Sequence, residues 1–487
     1  MTLENEQIRD VVRRVVGAMV SKDAVQTTAV VGSSSAQTQQ PLQKDEKTGC
    51  FRGVFDTTDE AFAALDVAQK KFRSLSIAVR KNMIENIRKT CRQNARMLAE
   101  MAVQESRMGR VSDKIAKHML VADKTPGVEE VPSGAFVGDF GLTTEEPAPF
   151  GLILAIAPTT NPTATIFCNA ICMLAAGNTV FFAPHPRALQ VSLTAIDLIN
   201  DAIMCAGGPA NLVVSLSSVK METVKELMSH KKVALLCVTG GDAVVDQAMR
   251  TGKRVIGAAA GNPPVLVDDT ADPEKAARDI VAGHAFDNNL PCIAEKEVIV
   301  TSGIADRLMA AFRARDNVVV LDANLIPKLE AVVLKDDRSG PNPKMIGQNA
   351  CVILKELGIS AIEDIRTIVV ETDKNHPFVR HELMLPVLPV VRVGDFEEAL
   401  DVAVEVEAGL RHSAIIHSSD IYHMSAFGRA INTTIYVKNA PSYAGIGMGG
   451  EGHTSFTIAG RTGEGVVTPR AFTRVRRCTL VGAFMKS

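Results

Sequence analysis

The sequence predicts an α/β protein with parallel, doubly wound sheets, and three stretches carry that expectation. In "GLILAIAPTTNPTATIFCNAICMLAAGNTVFFAPHP", residues 151–186, an apolar strand leads through a polar loop into a helix and out to a second apolar strand. In "VALLCVTGGDAVVDQAM", residues 233–249, a strand runs into Gly240-Gly241 and then a helix. From Ala258 onward a second α/β region follows, holding "AGNPPVLVDDTADPEKAARDIVAGHAF" and a strand at 297–300. Strands that are apolar along their whole length need both faces covered, as helices cover a parallel sheet.

The elements follow in order. In "LENEQIRDVVRRVVGAMV", Ile8, Val11, Val12, Val15, Val16, Met19 and Val20 form an apolar stripe at helical spacing. Many of these are β-branched, so the segment is marginal alone and expected to fold when docked. Residues 22–48 are rich in Ser, Thr and Gln without a stable period and read as a linker. The linker separates 1–21 from the body, which favours a detachable docking helix over a first helix packed on the fold. In "TTDEAFAALDVAQKKF" a threonine N-cap, first-turn acids, Phe62, Leu65 and Phe72 predict a helix. Helical patterns continue to about Lys117, and a Pro/Gly-containing stretch spans 126–149. The strand 152–157 then feeds a helix opening at Pro162 and closing at Gly177, with a further strand at 179–183. "HELMLPVLPVVRV" and "AIIHSS" read as strands, and "RVRRCTLVGAF" as a terminal strand with no visible partner.

Composition narrows the function. At 487 residues the chain is too long for one simple core, so two domains plus appendages are expected. A formal net charge of −2 gives no basic footprint for nucleic acid, and no uninterrupted apolar run reaches the ~18–20 residues of a membrane span. Nine scattered cysteines, an odd number, read as reduced thiols of a cytosolic protein rather than a disulfide framework. Cys168 and Cys172 sit four apart on the predicted helix, with no partner at zinc-site spacing, and read as core; no metal site is expected. "GIGMGGEG", residues 445–452, follows no strand, so it reads as a loop beside a site rather than a dinucleotide cradle. The Gly240-Gly241 turn suits phosphate, because N–H groups and the helix dipole converge there. One thiol stands apart. In "FDNNLPCIAEKEVIV", Cys292 ends a polar loop just before a strand, where packing gains little from it.

These motifs, in this order, resemble the aldehyde dehydrogenase superfamily over roughly 50–480. They are most similar to the CoA-acylating aldehyde dehydrogenases of bacterial microcompartments, the propionaldehyde and acetaldehyde group. The resemblance rests on "PFGLILAIAPTTNPT", "AGNTVFFAPHPRA", "VTGG", "AAAGNPPVLVD", "FDNNLPCIAEKEVIV" and "ELMLPVLPV". It implies two doubly wound α/β domains and a small oligomerisation arm. A dinucleotide-binding domain would span 49–257, with 126–149 and the C-terminal strand as the arm. A catalytic domain would span 258–440 and a return segment with the terminal strand 441–487.

The resemblance implies that Cys292 is the nucleophile and Asn161 the oxyanion-hole amide; an N-cap role for Asn161 is the plain alternative. It implies cofactor contacts at Pro158, Thr159 and Thr160, at Pro184, His185 and Arg187, and at Thr239, Gly240, Gly241 and Val244. Ala258, Ala259 and Ala260 join them, with Glu382 on the nicotinamide ribose. The chain departs from the pattern at Met384, where the family has an aromatic, and at Ala183, where many hydrolytic members have lysine. The departure at Ala258 says most: hydrolytic members carry there the glutamate that activates water against the acyl-enzyme. Without it, the thioester is expected to go to a thiol, so NAD and coenzyme A are the implied cofactors. The expected substrate is a short aliphatic aldehyde, propanal ahead of acetaldehyde. The expected assembly is a homodimer or homotetramer in a bacterial cytoplasm, inside a microcompartment whose shell or core proteins engage residues 1–21. No nucleic acid or membrane partner is expected.

Overall fold

The computed structural model describes residues 51–484; the expected docking helix and linker of 1–48 lie outside the described residues. Six strands form the first sheet, in the order Val54–Phe55, Val213–Leu216, Thr179–Pro184, Leu152–Ala157, Val233–Thr239 and Arg254–Ala258. Every pairing in it is parallel. The chain starts winding at the central strand Leu152–Ala157. It moves through Thr179–Pro184 to one side and returns to Val233–Thr239 on the other. That reversal of strand order opens a crevice beyond the carboxyl ends of the two neighbouring strands.

The helix Pro162–Ala175 connects the first two of these strands, and all 14 of its residues are buried. A proline at its first position and Gly177, at φ +87° just beyond its end, set its limits. Phe167 is fully enclosed, a burial that contributes about 2–3 kcal/mol. Cys168 and Cys172 sit in this core, as their spacing predicted. The earlier helices are longer than the sequence pattern indicated. Thr58–Arg73 is capped by Thr57, Ile77–Ser106 follows, and Val111–Lys124 runs past Lys117. One helical stretch, Pro186–Cys205, is long and apolar enough on average to count as a membrane span by length and composition, although no unbroken apolar run marks it. It contains Asp197 and Asp201, which bind Arg52, and 61% of its apolar window is buried inside the fold.

The second sheet has seven strands, in the order Val318–Val320, Thr367–Thr372, Val387–Val393, Glu297–Thr301, Pro264–Val267, Ser413–His417 and Ile435–Lys438. It too is parallel throughout. The segment "HELML" is not strand. It is the loop that enters Val387–Val393, with Met384 at φ +52°. The terminal strand Thr473–Val481, unpaired in the sequence reading, lies antiparallel to Gly141–Pro149, which in turn pairs with Gly134–Gly138. Arg476 and Arg477 stand opposite Glu146 and Glu145 across that ladder, and each arginine bonds its partner.

Candidate active site

The crevice of the first sheet is closed by the amino-terminal edge of the second. Strand Leu152–Ala157 delivers Pro158, Thr159, Thr160 and Asn161, Thr179–Pro184 delivers His185, and Val233–Thr239 delivers Thr239, Gly240 and Gly241. Arg254–Ala258 ends in Ala258, Ala259 and Ala260. From the second sheet, Cys292 precedes the strand starting at Glu297, and Glu382 precedes the one starting at Val387. Together they line one cavity of about 380 Å³ with Met108, Asp242, Leu290, Ile346, Met384, Phe456 and Ile458. Of the expected contacts, Pro184, Arg187 and Val244 lie off its wall. Pro184 is buried at a strand end, Arg187 donates to the Ser106 carbonyl at 3.2 Å, and Val244 is in the first turn after Gly241. The glycine-rich loop 445–452 contributes no lining residue; its Gly450 carbonyl accepts from Lys124 at 2.7 Å.

The loop before Cys292 explains its polar sequence. Asp287, Asn288 and Asn289 all adopt left-handed backbone, at φ +50°, +56° and +63°. Such angles cost L-residues roughly 1–2 kcal/mol each, least for Asn and Asp. The side chains offset this with bonds. Asp287 accepts from the Arg110 N–H at 2.7 Å and from Lys114 at 2.9 Å. Asn288 donates to the Gly347 carbonyl at 2.9 Å, and Asn289 to the Glu295 carbonyl at 2.9 Å. Gly109 must be glycine, since a Cβ there would fall 2.1 Å from an Asp287 oxygen. The result is a rigid loop that holds Cys292 half-buried at the cavity wall.

The electrostatics of the cavity are set by burial. Burial and then the Glu382 carboxylate push the Cys292 thiol up to about 12, while Lys296 and Lys117 pull the other way. Glu382 is itself pushed up to about 7 by burial, against the pull of Lys296, which stands 3.7 Å away. Lys296 donates to the carbonyls of Asn289 at 2.9 Å and Pro291 at 3.3 Å, bracing the thiol loop from behind. Asn161 opens the helix Pro162–Ala175, yet its side chain makes no capping bond. Its Nδ2 donates instead to the Thr160 hydroxyl at 3.2 Å, and its Oδ1 accepts from Lys117. The N-cap alternative therefore does not account for this side chain.

Four residues beside the site were not among those the sequence pointed to. Lys117 and Lys114 are two of them; their spacing on one helix face beside His118 was the available signal. Lys296 sits inside the quoted cysteine loop and carried no signal of its own. His412 is fully buried against Gly261, where an added Cβ would meet both its ring and the Cys292 carbonyl oxygen. Burial and Lys296 bring it down to about 4, so it is a neutral imidazole, and its Nε2 has no protein partner.

The Gly240-Gly241 turn suits a phosphate group, such as those of a dinucleotide. At Gly240 and Gly241 no protein atom lies within 4 Å of where a Cβ would stand, so backbone faces open space at the start of a helix.

A profile described as the aldehyde dehydrogenase family matches residues 29–330 and 366–470. The chain is 47% identical over 437 residues to an acetaldehyde dehydrogenase (acetylating) of Salmonella typhimurium, covering 89% of this chain and 93% of that one. It superposes with a TM-score of 0.86 on a propionaldehyde dehydrogenase of Rhodopseudomonas palustris solved with bound CoA and an acylated cysteine. That pair is 46% identical and covers 88% and 98% of the two chains. A propionaldehyde dehydrogenase from the fucose utilisation bacterial microcompartment of Clostridium phytofermentans gives the same score at 47% identity, covering 88% and 98%.

Proposed function

The chain belongs to the aldehyde dehydrogenase family, and from that premise we propose that it is a CoA-acylating aldehyde dehydrogenase. It converts a short aliphatic aldehyde, propanal first, with NAD and coenzyme A to the acyl-CoA and NADH. The observation that carries this reading is the cavity wall itself, where Cys292 shares the space with Asn161 and three consecutive alanines. Cys292 attacks the carbonyl carbon as thiolate, forming the C–S bond, while the carbonyl oxygen becomes an alkoxide. Asn161 Nδ2 and the Cys292 backbone N–H hold that alkoxide; one such donor is worth on the order of 10²–10³ in rate. Thr239–Gly241 and Glu382 would hold NAD, which would supply the acceptor for the hydride lost as the thiohemiacetal on Cys292 becomes a thioester. Ala258–Ala260 offer water no base and leave room for a pantetheine arm, so the coenzyme A thiolate takes the acyl group and Cys292 leaves.

Glu382 favours a second reading. It is a carboxylate in the same cavity with a pKa near 7, suited to activating water. Its tie to Lys296 supports the first reading over hydrolysis. NADH formation over a panel of aldehydes, with and without coenzyme A and with free acid quantified, separates the two. CoA-independent release of acid at the CoA-dependent rate would establish the hydrolytic reaction.

Residues 1–21 extend the proposal to location. The apolar stripe Ile8–Val20 suits docking into a partner's groove, and the partner we propose is a shell or core protein of a bacterial microcompartment. A relative from such a compartment supports this. Removing 1–21 should leave kinetics unchanged and abolish co-purification with compartments. A loss of thermal stability on truncation would instead mean the segment packs on the body.

A further inference from the structure

We infer that Lys117 is a positioning residue for this reaction: by donating to one end of the Asn161 amide, it fixes which end faces the cavity. The inference deepens the proposed function and rests on its assignment of Asn161. The oxygen and nitrogen of an asparagine amide have nearly the same shape, so packing alone cannot choose between its two orientations. An ammonium has three donors and no acceptor. Lys117 Nζ lies 2.5 Å from Asn161 Oδ1, and the reverse orientation would set donor against donor. The Nδ2 end is thereby turned away. One of its hydrogens goes to the Thr160 hydroxyl at 3.2 Å, and the other remains for a substrate oxygen.

Lys117 is itself held in place. It is 2% exposed and bonds the Asp287 carboxylate, which Lys114 also reaches at 2.9 Å. Lys114 donates in turn to the Thr160 carbonyl at 3.1 Å. Three buried charges thus connect the loop that carries Cys292 to the loop that carries Asn161. An apolar side chain would fill the space over the Phe286 ring, 5.4 Å from Nζ, without the desolvation cost of a buried ammonium. Packing therefore does not call for lysine at this position.

The device is sensitive to pH. Burial brings Lys117 down to about 8, against the pull of Asp287. The other charged or titratable groups around it are Lys114 and Asp113, with His118 neutral beside it and the Cys292 thiol beyond. Below pH 8 the ammonium enforces one amide orientation. Above it the neutral amine can also accept, and the constraint is lost.

The test compares Lys117→Met, Lys117→Arg and Asn161→Ala in the full chain, reading steady-state NADH. Lys117→Met should lower kcat roughly 10- to 100-fold, less than outright loss of a donor, with KM for NAD unchanged. Combined with Asn161→Ala, it should add nothing further, because both changes remove one device. Lys117→Arg, permanently charged, should restore most of kcat and remove the fall in rate above pH 8. Wild-type kcat in Lys117→Met, or effects that multiply with Asn161→Ala, would overturn the inference. If Lys117→Met does not fold, the Lys117→Arg profile decides, and a rate that changes above pH 8 as it does in wild type overturns the inference. Wild-type kcat in Asn161→Ala would instead refute the Asn161 assignment itself.

Discussion

Two groups of thiols in this chain differ only in their surroundings. Cys168, Cys172 and Cys237 lie within the first sheet's core, no more than 1% exposed. Cys292 stands at the edge of the second sheet, half-buried on a cavity wall. Burial raises the thiols of Cys237 and Cys292 alike, so a raised pKa does not mark the reactive one. What marks it is access. Around the core thiols, Thr125, Asn169 and apolar side chains fill the space, whereas Cys292 has an open face, an amide and a carboxylate in view.

The comparison breaks at once if Cys292 can be removed without consequence. Cys292→Ala should lower aldehyde oxidation by at least about 10³-fold while NAD binding, followed by fluorescence titration, persists. Cys168→Ala should leave kcat within about twofold. Retention of more than a few per cent of activity in Cys292→Ala would transfer the nucleophile elsewhere.

A second test alters the wall rather than the thiol. Ala258→Glu places a carboxylate at the end of strand Arg254–Ala258, where the hydrolytic relatives are expected to keep their base. General-base assistance is worth about 10²–10⁴-fold, so CoA-independent acid release should rise at least tenfold over wild type. CoA-dependent turnover should fall as the new side chain crowds the cavity. Free acid and acyl-CoA, quantified separately, decide it, and unchanged acid release would mean the alanines are not what excludes water.

The unbroken apolar runs of the strands made the parallel sheets legible, and the Gly240-Gly241 and Asn161-Pro162 turns marked the loops that form the crevice. Cys292 stood out as a candidate because a thiol ending a polar loop gains little from packing, and the family resemblance supplied its expected role. Lys117, Lys296 and His412 were not legible. Lys117 meets Asp287 170 residues further along the chain, His412 packs on Gly261, and Lys296 reaches Glu382, which precedes another strand. No local period encodes such a meeting. The left-handed run Asp287–Asn289 was half legible, since its composition permitted those angles and only tertiary bonds require them.

Glu382 offers a finer test of what surrounds Cys292. Its carboxylate raises the thiol, so Glu382→Gln should lower the thiol's pKa and speed its alkylation. The sign depends on pH. Below about 7 Glu382 is protonated in the wild type, and the two proteins should react alike. Above about 8 the wild-type charge is present, and Glu382→Gln should be alkylated roughly three- to tenfold faster, one pKa unit being a factor of ten. Cys205 and Cys478 are exposed and also react, so the rate must be read on the Cys292 peptide by mass spectrometry. A ratio independent of pH would mean Glu382 acts on Cys292 through packing rather than charge.

The smallest effect belongs to the core thiols. Cys168→Ala removes one buried sulfur from a helix enclosed on every side. The lost transfer energy and the small void left behind should together cost about 1–2 kcal/mol. The Thr125 hydroxyl, which donates weakly to Cys168 at 3.7 Å, loses that partner and adds a little to the cost. Cys172→Ala should behave similarly, because its neighbours Cys168 and Met173 belong to the same cluster. Chemical denaturation should show a lower midpoint with an unchanged slope, and steady-state kinetics on the surviving folded protein should match wild type. A variant that melts normally yet loses turnover would place one of these sulfurs in the chemistry, and the distinction between enclosed and open thiols would fail at its weaker side.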